Sequence, residues 1–262
     1  MDKKYGLALG GGGARGYMHI GVIKYIQEHD ISITEVSGTS IGAIIAGMYA
    51  TGMSAEEMQE AFSGINYRMF FDGNIDLGVF GGKKIKTRLT GIFGKKKIED
   101  CNIPCSIIAC NLHTGEQKIL TKGSLVDAVR ASMSLPGIIS PYEIDGNMYI
   151  DGGIVNNLPV DVLKSKNIIA SSCADTIYDT LEDKKEFLGI TLPDFTINKV
   201  GRILNNSIQI MLKTIEDLTI EHSTKELILI RPDLKEYSVF DMEKLDEIIK
   251  LGYDDAKKVL DR

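Results

Sequence analysis

Apolar residues along this chain alternate between short runs and longer stretches at helical spacing. Tyr5–Leu9 is a short apolar run that stops at consecutive glycines, and it predicts a buried strand. In residues 17–28, Ile20, Ile23 and Ile26 recur on one helical face. Thr34–Ser37 predicts a second short strand, and the small, apolar Ile41–Tyr49 a buried helix. Ser54 and Glu57 open an amphipathic stretch to about Phe62 and carry a capping-box signature. Ser106–Cys110 and Glu116–Leu120 read as two strands joined by a Thr-Gly turn. Leu125–Met133 is helical, Asp145-Gly146 is a hairpin turn into strand Met148–Ile150, and Ile168–Cys173 is a further strand. Residues 195–222 repeat apolar positions at helical spacing (Val200, Ile203, Leu204, Ile208, Met211, Leu212, Ile215 and Leu218) and predict a long core-packing helix. Leu227–Ile230 is a late strand, and Met242–Leu260 a closing amphipathic helix. Strands alternating with helices predict an α/β sheet layered with helices. No repeat or linker divides the chain, so one domain over 1–262 is expected, its helical part (195–262) packed on the rest.

Composition narrows the class. A hydrophobic fraction of 44% with 25% charged residues is that of a globular protein. A net charge of −6 argues against nucleic acid as a partner. Cys101, Cys105, Cys110 and Cys173 form no CxxC pair and the histidines are scattered, so no metal site is expected. The N-terminus lacks a signal-peptide core, and no run reaches the ~18 apolar residues of a membrane span. A cytoplasmic protein is expected. One local feature departs from the average. Lys83, Lys84, Lys86, Arg88, Lys95, Lys96 and Lys97 occur with no acidic residue between them. Together with the apolar residues of 64–97 (Ile65, Met69, Phe70, Phe71, Ile75, Val79, Phe80, Ile92, Phe93), they predict a mobile flap. It would touch an acyl chain, or an anionic membrane through Lys83–Lys97.

The chemistry concentrates in two glycine clusters. Gly11-Gly12-Gly13-Ala14-Arg15-Gly16 follows the first strand and opens a helix. Such a turn points backbone N–H groups into one concavity and attracts negative charge. Read as GxGxxG it fits a dinucleotide loop, with Glu35 as the ribose-binding acid. The second cluster, Gly38-Thr39-Ser40-Ile41-Gly42, is a G-x-S-x-G nucleophile elbow in its strand–turn–helix context. Two neighbouring strands thus deliver an anion nest and a serine to one sheet edge, which favours acyl transfer over nucleotide binding. Ser40 needs a base. His222, His19 and His113 stand in no recognisable strand-end loop. Asp151, at the end of a strand and before Gly152-Gly153, is the better candidate, because partial burial would raise its pKa towards neutrality.

These motifs, in this order, resemble the patatin-like phospholipase family. Ala131-Ser132-Met133-Ser134-Leu135-Pro136 resembles a further segment of that family. The resemblance runs from about residue 5 to about residue 160, and the chain's size and plain ends look most like small single-domain bacterial members. It implies a three-layer α/β/α fold with a mostly parallel central sheet. It implies a Ser40–Asp151 dyad without histidine, an oxyanion hole at Gly11, Gly12 and Gly13, and supporting roles for Arg15, Gly16, Gly38, Gly42, Gly152 and Gly153. The implied reaction is cleavage of fatty-acyl esters of (phospho)lipids, with no cofactor or metal. An acyltransferase using the same acyl-enzyme remains an alternative, as does a dinucleotide binder using Gly11–Gly16. Oligomeric state is not implied.

Overall fold

The computed structural model of the chain describes residues 3–65, 81–174, 186–187, 190–191 and 195–261. In chain order the elements begin with β1 (Tyr5–Leu9), α1 (Met18–Glu28), β2 (Ile33–Thr39), α2 (Ile41–Ala50), α3 (Ala55–Phe62) and α4 (Lys83–Phe93). Next come β3 (Cys105–Asn111), β4 (Gln117–Leu120), α5 (Leu125–Ser132), β5 (Tyr142–Ile144), β6 (Asn147–Asp151) and β7 (Asn167–Ser171). A small hairpin of β8 (Glu186–Phe187) and β9 (Ile190–Thr191) precedes α6 (Phe195–Glu221), β10 (Glu226–Ile230) and α7 (Leu245–Leu260).

The main sheet has the order β10-β7-β1-β2-β3-β6-β5, with β4 also paired to β3. The pairs from β10 to β3 are parallel, and β4, β5 and β6 add antiparallel pairs. Successive strand residues face opposite sides. Leu7 and Leu9 of β1 and Ile169 of β7 join the large core with α1, α2, α3, α5 and α7. Ala8, Ile168 and Ala170 join a smaller core with Leu158, Val160 and Leu163, packed against Ile220 of α6. The sheet is thus a mixed, mostly parallel one flanked by helices, an α/β fold as the alternation of elements predicts.

The pairing of β3 brings the chemistry together. β4 pairs with Ile107–Cys110 along the whole middle of β3. β2 pairs with Ile107 and Ile108, and β6 with Ala109 and Cys110, so both lie on the edge opposite β4. Thr39 stands opposite Ile108, and Asp151 opposite Ala109. The C-terminal ends of a parallel and an antiparallel strand therefore meet head to head. The residue after Thr39 is Ser40.

Local signals account for most boundaries. Ser54 Oγ accepts from Glu57 N at 3.2 Å and Glu57 Oε2 from Ser54 N at 2.7 Å, the expected capping box at the start of α3. Other boundaries differ from expectation. A 3-10 turn at Gly13–Tyr17 precedes α1, and another at Met242–Lys244 precedes α7. β5 has no signal of its own, being three residues long and none of them buried. The flap expectation fails over 83–93. That segment is helix α4, because Ile85, Leu89 and Phe93 recur every four residues and bury on the large core. Met69, Phe70, Phe71, Ile75, Val79 and Phe80 lie outside the described residues. Arg130, fully buried in α5, fastens this corner. It donates to Ser134 Oγ at 2.7 Å, to the Ser140 carbonyl at 3.0 Å and to the Gly82 carbonyl at 3.3 Å.

Candidate active site

Ser40 caps the N-terminus of α2 with φ 56° and ψ −121°, a conformation that L-residues avoid. Close approach of the backbone forces it. A Cβ at Gly38 would stand 2.2 Å from the Gly42 carbonyl oxygen, and one at Gly42 would stand 2.2 Å from that of Leu9. The turn projects the hydroxyl outward, and the helix end favours negative charge there. The Ser40 N–H donates to Ser132 Oγ at 2.9 Å.

Asp151 ends β6 and is buried. Its N–H donates to the Ser134 carbonyl at 2.9 Å, and its Oδ1 accepts from Gly153 N at 2.8 Å. The Ser40 side chain lies close enough to its carboxylate to favour the ionised form. Burial pushes its pKa from 3.8 up to about 6, partly offset by the Gly153 N–H and the Ser40 hydroxyl. The segment 131–136 acquires a physical role here. Ser132 holds the backbone of Ser40, and Ser134 holds the backbone of Asp151.

Opposite Ser40 lies the turn at Gly10–Gly13. Gly10 N–H donates to the Ser171 carbonyl at 3.0 Å, and Gly11 N–H to the Asn157 carbonyl at 3.1 Å. The Gly11 donor expected for an oxyanion hole is therefore already engaged. Among the described residues the N–H groups of Gly12 and Gly13 have no such acceptor, whereas Ala14 N–H donates to the Val239 carbonyl at 2.8 Å. The carbonyls of the turn face inward. Gly10 O accepts from His19 Nε2 at 2.9 Å, and Gly11 O accepts from Cys173 Sγ at 3.3 Å and Asn157 Nδ2 at 3.2 Å. Full burial lowers the pKa of His19 from 6.5 to about 4, so its ring is neutral at neutral pH; with Nε2 donating to Gly10 O, Nδ1 then accepts from Ser171 Oγ at 2.7 Å.

The remaining predicted residues take these places. Arg15 is buried and donates to Gln209 Oε1 of α6 at 2.6 Å, tying the turn to that helix. Gly16 abuts Ile41, Gly152 abuts the Ile108 carbonyl, and Gly153 lies between Asn157 and Asp151. His222 bonds the Leu218 carbonyl at 2.8 Å and lines a separate polar cavity with Asp161 and Lys225. His113 is exposed in the β3–β4 turn. Glu35, the acid of the dinucleotide reading, instead accepts from Ser165 N at 2.5 Å and Ser165 Oγ at 2.6 Å. Among the described residues no cluster of His, Cys, Asp and Glu is arranged to hold a metal ion.

Ser40, Asp151 and Gly11–Gly13 open on one pocket of about 1080 Å³, counting the solvent at its mouth. Its walls are apolar and include Ile44, Phe62, Ile85, Met133, Leu135 and Leu212. A narrow polar end on a long apolar wall suits a ligand with one reactive polar group and an aliphatic body. α6 turns only one face to this wall. Its outer face leaves Ile203, Leu204, Ile210, Met211 and Leu218 largely exposed, against the expectation of a core helix. Among the described residues no helix is long and apolar enough to cross a membrane.

The family model for patatin-like phospholipase matches residues 7–164, which include all four motifs. The chain belongs to the patatin-like phospholipase family. A Mycobacterium tuberculosis protein described as an NTE family protein is 35% identical over 63% of this patatin-like chain and 47% of its own length. The lysophospholipase NTE1 of Debaryomyces hansenii is 30% identical over 100% of this chain and 18% of its own. A patatin-like phospholipase domain-containing protein of Caenorhabditis elegans is 31% identical over 94% of this chain and 20% of its own. The chain thus spans less than half the length of these relatives. Among solved structures, VipD of Legionella pneumophila shares the fold with a TM-score of 0.60 at 14% identity, over 99% of this chain and 67% of that one.

Sequence reasoning missed Asn157, Glu216 and Arg231, which support the turn from behind. One signal was present. Glu216 falls one turn after Leu212 on the inward face of α6, where an unpartnered carboxylate would be costly.

Proposed function

We propose that this chain is a serine acyl hydrolase that cleaves fatty-acyl esters of lipids through Ser40 and Asp151. The observation that carries the reading is the juxtaposition of a serine on a strained elbow and a buried carboxylate with a raised pKa, at the polar end of an apolar pocket. The lysophospholipase name of the fungal relative supports a lipid ester as substrate.

Asp151 takes the proton of Ser40 Oγ as the oxygen bonds to the ester carbonyl carbon, and the carbonyl electron pair moves onto oxygen. Gly12 N–H and Gly13 N–H receive that oxyanion, and one such donor contributes about 2.7–4 kcal/mol. Gly11 acts by fixing the turn, not as a donor. When the intermediate collapses, the alcohol leaves with the proton from Asp151. Water then attacks the acyl-enzyme, giving its proton to Asp151. Collapse releases the fatty acid and returns the proton to Ser40. A carboxylate with a pKa of about 6 is mostly ionised at neutral pH and is a better base than an ordinary one.

The pocket rim supports contact with an anionic lipid surface. Ile85 of α4 lines the pocket, and Lys83 and Lys84 beside it are exposed. Lys95, Lys96 and Lys97 follow, also exposed, while Lys86 pairs with Asp127 at 3.0 Å and Arg88 holds the Ala61 carbonyl at 3.0 Å. α6 lines the pocket through Gln209 and Leu212 and presents its exposed apolar face beside them.

A fluorophosphonate probe followed by mass mapping tests the chemistry. Labelling at Ser40, lost in Ser40→Ala, is expected; labelling elsewhere or nowhere refutes the reading. Product analysis with and without an added acceptor alcohol separates hydrolysis from transfer. Replacing Lys84, Lys95 and Lys96 by Glu should weaken sedimentation with anionic vesicles while sparing turnover of soluble esters.

A further inference from the structure

Asn157 holds Gly11 at both ends. Its backbone carbonyl accepts the Gly11 N–H at 3.1 Å, and its side-chain Nδ2 donates to the Gly11 carbonyl at 3.2 Å. The second hydrogen of Nδ2 goes to Glu216 Oε2 at 2.9 Å. Glu216 is fully buried, and it also receives Arg231 Nη2 at 2.7 Å and the Ser172 hydroxyl. These partners fix the orientation of the amide. Exchanging its oxygen and nitrogen would set Oδ1 against two acceptors, the Gly11 carbonyl and the Glu216 carboxylate. Oδ1 instead packs towards Gly11 and Gly153, where Cβ atoms would stand 2.7 Å and 2.9 Å from it. Among the described residues it has no donor.

The consequence lies one peptide further on. The Gly11–Gly12 peptide is trans and planar, so its C=O and N–H point in opposite directions. With the Gly11 carbonyl drawn inward, the Gly12 N–H is turned outward to the pocket that Gly12 lines. We propose that Asn157 is a positioning residue for the reaction: anchored by Glu216 and Arg231, it fixes the Gly11–Gly12 peptide so that the Gly12 N–H meets the oxyanion. Asn157 lies six residues after Asp151 on the same loop. One loop thus carries the proton acceptor and the group that aligns the oxyanion donor. The inference rests on the hydrolase reading above and adds to it a residue that acts through the peptide it holds.

Alignment acts on the transition state and not on substrate binding. In Asn157→Ala, kcat for a p-nitrophenyl ester is expected to fall about 10- to 100-fold with KM within about threefold, since displacing a catalytic group by about 1 Å costs up to about 100-fold. An alkyl trifluoromethyl ketone, whose adduct with Ser40 carries an oxyanion, should lose affinity in proportion to kcat. The fatty acid of the same chain length should bind as before. Asn157→Asp keeps the volume and the backbone contact but replaces the donor by an acceptor, and the same pattern is expected. It decides the matter if the alanine variant is unfolded by circular dichroism. A folded variant with kcat within threefold of the parent overturns the proposal, as does parallel loss of ketone and fatty-acid binding. Failure of the underlying hydrolase reading is distinguishable, because Ser40→Ala would then retain activity in the same assay.

Discussion

Replacing Asp151 by Asn should make this protein more stable, and increasingly so as pH rises. The pKa of Asp151 goes from 3.8 when exposed to about 6 in the fold, because burial penalises its charge. A group whose folded pKa is raised contributes stability that is fully present below the unfolded value and is lost as pH rises through the folded value. Above both values, a shift of about two units corresponds to about 3 kcal/mol spent in keeping the carboxylate ionised inside the fold. At pH 5, with the unfolded group ionised and the folded one still protonated, the same linkage gives about 1.5 kcal/mol. Asn keeps the volume and can still accept from Gly153 N–H, but it never ionises. The stability advantage of Asp151→Asn over the parent should therefore grow by about 1.5 kcal/mol between pH 5 and pH 8. His19, with its pKa lowered to about 4, gives an opposite slope, losing stability as pH falls below 6.5. It is present in both proteins and cancels in the difference. Urea unfolding of the two at several pH values, each extrapolated to water, measures this. A difference that is flat with pH, or shrinks as pH rises, would refute a desolvated carboxylate at this position and with it the reason for preferring Asp151 as base.

Three other outcomes follow from the same geometry. If Asp151 is the base, kcat/KM for a soluble ester should fall with acid along a limb centred near pH 6, since a carboxylate accepts a proton only when ionised; a limb near 4 would mean an unperturbed carboxylate. Ser40→Gly should abolish turnover yet raise the melting temperature by about 2–4 °C, because relief of backbone strain at φ 56° gives back about 1 kcal/mol; a lower melting temperature would show the elbow unstrained. Ile44→Trp fills the pocket wall, and it should cut kcat/KM for a long-chain ester about tenfold or more while an acetate ester changes little. Equal loss on both esters would place the acyl chain elsewhere.

The legibility of this fold varied with the range of the interactions that set it. Tyr5–Leu9 and Ala55–Phe62 were readable because an apolar run ending in glycine and a capping box are local signals. Helix α4 was obscured because its lysines and Gly82, Gly91 and Gly94 gave it the composition of a loop, while Ile85, Leu89 and Phe93 still marked a buried face. The outer face of α6 read as core, since period alone does not say whether an apolar face is covered. At the site, Ser40 and Asp151 were legible as motif residues. Ser132, Ser134, Arg130 and Asn157 act through hydrogen bonds to backbone outside their own elements, and no spacing rule announces such contacts.

By itself, the sequence determined the alternation of strands and helices, the two glycine turns at strand ends and the family of the chain. The elements and turns depend on residues within a few positions of one another, and the family on the order of such local motifs along the chain. The tertiary structure alone decided that the ends of β2 and β6 meet on one edge of β3, which sets Asp151 against Ser40 across 111 residues of chain. It alone decided that Gly11 gives its N–H to Asn157 and leaves Gly12 and Gly13 facing the pocket. The physical reason is the same in both cases. A motif specifies the shape of a turn, but the direction of its donors and the desolvation of a carboxylate depend on which distant groups pack against it.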